Sequence, residues 1–119
     1  MTGQFELAPH ERPNGLVYPQ IYLRLVESGA VAIAPWHLFI AAQQLQHRAG
    51  LHARYPDRNL FPFARRQDND DIACWDLGAP PNVVIIHDFA SPGHEQRGSF
   101  ATTCDWLRQA LEDFIEFEA

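Results

Sequence analysis

Four neighbouring positions, Asp68-Asn69-Asp70-Asp71, put three carboxylates in a single turn one residue after the pair Arg65-Arg66. Clustered oxygen ligands suit a hard cation such as calcium. The calcium-loop template, however, asks for ligands at alternate positions, then Gly, then a distant Glu. Here Ile72 follows the acids and no Gly is near. Two uses remain for the cluster: a solvated hairpin turn, or a surface that meets a basic partner. Clustered like charges repel one another at a cost that a turn alone does not demand.

A second acidic group, Glu112, Asp113, Glu116 and Glu118, closes the chain. A helix there would put these carboxylates against its own partial negative charge, at about 0.3–1 kcal/mol each when exposed. Either the end is frayed and well solvated, or it forms an acidic patch. His87-Asp88 is a possible acid–base pair, although no Gly-x-Ser-x-Gly nucleophile accompanies it. With the turn at 68–71 it defines the alternative of a small metal-binding or hydrolytic enzyme. The remaining histidines, His10, His37, His47, His52 and His94, miss zinc-ligand spacing. They read as scattered surface residues. Cys74 and Cys104 are thirty residues apart, outside any Cys-x-x-Cys pair, and read as reduced, partly buried thiols. No phosphate loop occurs, and no catalytic residue, metal ligand or cofactor is assigned.

The elements that must carry these groups follow from periodicity. Residues 1–15 form an irregular arm with Pro9, Pro13 and Gly15. A single α+β domain then spans 16–119. Its first helix runs from Pro19 to a stop at Gly29, with Tyr18, Ile21, Tyr22, Leu25 and Val26 at three- and four-residue steps. Val31, Ile33 and residues 36–39 form an apolar stretch around Pro35 that suggests a single strand, at an edge or ending at the proline. Residues 43–49 read as a helix stopped by Gly50, with Phe39, Ala42, Leu45 and Ala49 on one face. A basic connector follows over 47–58. Residues 60–63 and 72–76 form a hairpin around the Asx-rich turn. Residues 83–87, continuously apolar, make a buried strand, and 90–98 a loop. Ser99 caps a long amphipathic C-terminal helix to about residue 117, with Phe100, Cys104, Leu107, Leu111 and Phe114 on its apolar face. The expected architecture is an antiparallel sheet with helices packed on it.

At 119 residues and 46% hydrophobic, the chain has room for one core and the composition of an ordered protein. No apolar run approaches the ~20 residues of a membrane helix. Residues 1–6 lack a charged start and an apolar h-region, so the expected location is cytoplasmic. All nine basic residues are Arg. They divide unevenly: residues 1–66 have a formal charge of +3 and residues 67–119 one of −9. A net charge of −6 disfavours broad binding to nucleic acid and favours a basic partner. Arg48, Arg54, Arg58, Arg65 and Arg66, with Tyr55 and His52, have the composition of a nucleic-acid patch. Folding back onto the acidic half is the better use for them, with Arg65 or Arg66 reaching Asp68, Asp70 or Asp71.

In order and spacing these pieces resemble the SUKH superfamily. The carriers are the helix around Tyr18-Pro19-Gln20-Ile21-Tyr22-Leu23, then Leu60-Phe61-Pro62-Phe63-Ala64, an acidic turn, Ile72-Ala73-Cys74-Trp75-Asp76, residues 83–88, and Ser99-Phe100 opening the last helix. The chain departs from the family in having an irregular arm for the usual first helix, and Asn69 or Asp70 where the turn's glycine would be. The superfamily includes the fungal cell-wall-assembly and killer-toxin-resistance regulator. Its bacterial members are largely inferred to be immunity proteins that neutralise toxins. The resemblance therefore implies a SUKH-like α+β fold and a non-enzymatic immunity protein. It would bind a cognate toxin domain or another basic protein, without membrane or direct nucleic-acid contact. A nuclease toxin must be basic where it grips phosphate, and an acidic face could occupy that groove. Candidate contacts are Asp68, Asp70, Asp71, Asp88, Glu112, Asp113 and Glu116. Trp75 and Trp106 are candidate aromatic anchors, with the core as their other possible place. A regulatory scaffold with a cellular partner is the remaining alternative.

Overall fold

In the computed structural model, which describes residues 3–117, six strands form one antiparallel meander flanked by three α-helices. The helices are α1 (Gln20–Ser28), α2 (Ala41–Arg54) and α3 (Thr103–Glu116). The strands, β1 (Ala32–Ile33), β2 (Trp36–Leu38), β3 (Leu60–Arg66), β4 (Asp71–Asp76), β5 (Val83–His87) and β6 (Gln96–Phe100), lie side by side in chain order. The fold is α+β, as the periodicity predicts. Among the described residues no helix is long and apolar enough to cross a membrane.

Alternation along the central strands builds two cores. Phe61, Phe63, Ala73, Trp75 and Val83 join Tyr18 and Tyr22 beside α1, and Trp106 and Ala110 of α3. Leu60, Ile72, Cys74, Val84 and Ile86 join Leu51 and Tyr55 at the end of α2. The first core is aromatic: Trp75 stacks on Phe63 with centroids 4.3 Å apart, and Trp106 meets Trp36 edge-on at 5.5 Å. Such pairs contribute about 0.5–1.5 kcal/mol beyond area burial. Gly29 ends α1 at φ +83°, a conformation that an L side chain resists.

Several expectations need correction. The N-terminal arm is irregular apart from one 3-10 turn (Pro9–Glu11), yet it belongs to the core. Leu7 is fully buried, and the Phe5 carbonyl accepts hydrogen bonds from Tyr22 and Gln44. Gly50 does not stop α2; it lies inside the helix, which runs on to Arg54 and absorbs much of the expected connector. Residues 96–100, expected partly as loop, form the edge strand β6. The cap of α3 is Thr102, not Ser99; its hydroxyl accepts from the Asp105 amide at 3.1 Å.

Two helices also present other faces than the periodicity indicates. In α2 the buried residues are Gln44 and Leu51, while Ala42, Leu45 and Ala49 face water. In α3 they are Thr103, Trp106 and Ala110. Cys104 is exposed, and so are Leu111 and Phe114. Relative to the expected face, α3 is rotated by about a quarter turn.

Candidate protein-binding surface

The acidic turn is held by its own neighbours. Arg66 donates to both oxygens of Asp68, at 2.7 and 3.2 Å, and Arg65 reaches Asp70 at 3.3 Å. The Arg66 hydrogen bonds hold the Asp68 carboxyl below the usual carboxylate range and raise the Arg66 guanidinium above its own. Asp70 adopts φ +61°, which lets the turn close, and the Asn69 side chain accepts from the Asp71 amide. Asp71 is buried at the start of β4, where it accepts from His87 Nδ1 at 3.0 Å and lies 3.3 Å from Arg97 Nε.

The other predicted contacts separate in the same way. Asp88 takes two 2.6 Å hydrogen bonds from Arg54, and this guanidinium also lies 4.0 Å over the exposed Phe89 ring. Asp113, on α3, accepts from Trp36 Nε1, Arg66 and Gln109. Trp75 and Trp106 are core residues at 5% and 1% exposure, so neither is a surface anchor. The expected gathering of negative side chains on one exterior face is therefore corrected for Asp68, Asp70, Asp71, Asp88 and Asp113. Each is matched locally by a basic group. The exposed pairs at Asp68 and Asp70 contribute only ~0–1 kcal/mol, but every pair weakens the field a partner would feel.

The pair expected for acid–base chemistry is also divided. His87 faces Asp71 across the β4–β5 register, while Asp88 belongs to Arg54. Among the described residues no three His, Cys, Asp or Glu side chains gather as a metal-ligand group. Cys74 is buried, with its thiol pKa pushed up by desolvation, and Cys104 is exposed.

Glu112 and Glu116 stand apart. Both are exposed on the last two turns of α3, and neither has a basic partner among the described residues. Beside them, Leu111, Phe114 and Ile115 are 44%, 51% and 72% exposed. The apolar arc of α3 is wider than the sheet can cover, and its free flank meets the two glutamates. Sequence reasoning placed Leu111 and Phe114 in the core and did not consider Ile115. The signal it could have used is Trp106 and Ala110, which with Thr103 define the buried stripe at three- and four-residue steps. Glu118 lies outside the described residues.

No protein-family model, curated protein or solved structure matches this chain.

Proposed function

We propose that this chain is a non-enzymatic binding protein of the toxin-neutralising kind implied by the SUKH resemblance, acting in the cytoplasm. Its docking surface is the outward flank of α3. One observation carries the reading: Leu111, Phe114 and Ile115 are exposed next to Glu112 and Glu116, which form no ion pair among the described residues. Exposed apolar side chains rimmed by uncompensated charge have the make-up of an interaction site. The fitting partner is a segment that presents apolar side chains together with Lys or Arg. This moves the electrostatic contact from the acidic turn to the last two turns of α3.

The test is co-expression with the product of the neighbouring gene as candidate toxin, read as bacterial growth and as affinity between the purified proteins. The wild-type chain should protect. Phe114→Asp with Ile115→Asp should abolish protection and weaken binding at least tenfold while thermal stability stays the same. Normal protection by that variant would refute the α3 surface. Absence of binding and protection by the wild-type chain would refute the toxin-neutralising role. Selective binding of a host regulatory protein in its place would favour the scaffold alternative.

A further inference from the structure

Between the inner side of α3 and the sheet lies a cleft of about 290 Å³, walled by Trp36, Ile85, Phe100 and Trp106 and edged by Arg97 and Gln109. We propose that this cleft binds a small monocarboxylate with an apolar body, its carboxylate on the Arg97 fork and an acceptor oxygen on the Trp106 indole N–H.

The first support is an unpaired donor. Of the three indoles, Trp36 donates to Asp113 and Trp75 to Thr103, each at 3.0 Å. Trp106 Nε1 is buried and finds no acceptor among the described residues. Buried donors without partners are rare because they forfeit hydration with nothing in return. A bound oxygen would complete this one.

The second support is independent. The β5–β6 register pairs Ile85 with Gly98 and Ile86 with Gln96, which leaves Arg97 without a cross-strand partner. Bulges of this kind re-aim a side chain. Arg97 is half exposed, and among the described residues its one ion-pair partner is Asp71, near Nε. Its two terminal nitrogens have no acceptor among the described residues, and a planar fork of this kind matches a carboxylate. Gly98 faces the same side of the sheet as Ile85 and leaves the floor beside Arg97 low.

The remaining charges set the ligand class. Asp71 is engaged by His87 and Arg97, and Asp113 by Trp36, Arg66 and Gln109. The two arginines and two aspartates of the cleft balance in formal charge, so what it offers is the unfilled end of the Arg97 fork. A single negative charge fits it, whereas a phosphate dianion would meet Asp71. The volume is at the small end for ligand pockets, and the walls are aromatic. This site uses the inner side of α3 and stands or falls separately from the docking flank.

The experiment is a nuclear magnetic resonance titration of the ¹⁵N-labelled chain with phenylacetate, followed at the three indole N–H signals. Its neutral control is 2-phenylethanol. Phenylacetate should move the Trp106 signal downfield and saturate it, leaving Trp75 in place. The alcohol should bind at least tenfold more weakly. Arg97→Gln should weaken phenylacetate binding at least tenfold, and Gly98→Leu should block it by filling the floor. If the Gly98 variant fails to fold, Arg97→Gln decides. An unmoved Trp106 signal at about 10 mM phenylacetate, an equal response to the alcohol, or full binding by Arg97→Gln would overturn the proposal.

Discussion

Glu95 is only 6% exposed, yet it is built to be an anion. One oxygen accepts from Arg58 at 2.7 Å and the other from the Gly93 amide at 2.7 Å. Gly93 sits at φ +94°, a conformation natural only to glycine, and this turns its amide toward the carboxylate. The Arg58 hydrogen bond, then bonds from the Glu95 and Gly93 amides, hold the Glu95 carboxyl below its ordinary range. A depressed carboxylate pKa means that the unfolded chain takes up the proton first as pH falls. The stabilisation is then complete above the unfolded value and fades as pH drops through the lower folded value. Glu95→Gln should cost about 1–3 kcal/mol near neutrality. The gap from wild type should close as pH falls below the ordinary glutamate range and on through the lower folded value. Urea unfolding across that range checks it. A gap that persists unchanged into acid would mean that Glu95 acts through shape and not through charge.

At the level of elements, α2 shows where hydrophobic periodicity misleads. Its buried face carries Gln44, which is fully buried and fully used: Oε1 accepts from Tyr18, and Nε2 has the Phe5 and Phe39 carbonyls and the Tyr22 hydroxyl in reach. A polar residue satisfied in this way is invisible to an apolar-face count, so the stripe through Ala42, Leu45 and Ala49 is chosen wrongly. Gly50 misled for a related reason: it reads as a stop, but it makes room. A Cβ there would lie 2.7 Å from Arg54 Nη2, which is tied to Asp88. In an ordinary helix interior Gly→Ala gains about 1 kcal/mol. Gly50→Ala alone should gain nothing or lose stability, because Arg54 must leave Asp88. In an Arg54→Ala background the ordinary gain should return. Denaturation of the four members of this cycle measures the coupling, and a full gain in the wild-type background would exclude it. By contrast, α1, the β3–β4 hairpin and β5 were legible, since Gly29, the Asx turn and the apolar run at 83–87 act locally. The edge strand β6 was not, because Gln96, Arg97, Gly98 and Ser99 form it by pairing with β5 and not by their own propensity.

Across the whole molecule, the charge split of the sequence becomes a pattern of pairing. Arg54, Arg58, Arg65 and Arg66, all before residue 67, hold Asp88, Glu95, Asp70, Asp68 and Asp113, all after it. The antiparallel meander brings the two halves together, so four arginines of the first half offset acids of the second, while the chain keeps its net charge of −6. The sequence could show that the halves differ in sign; it could not show which acids would be left over, because that depends on strand register and on the rotation of α3. The remainder sets how a basic partner is steered. Reversing Asp68 and Asp70 to Lys should change the association rate only modestly, about twofold to threefold, since Arg66 and Arg65 already screen those positions. Glu112→Lys with Glu116→Lys adds the same charge where no ion pair is formed among the described residues. It should slow association about tenfold or more at low salt, with the difference shrinking as salt rises. Stopped-flow association with the toxin domain, over a range of ionic strength, separates the two. A larger loss from the turn than from α3 would return the docking site to the acidic turn and show that its arginines leave a field strong enough to guide a partner.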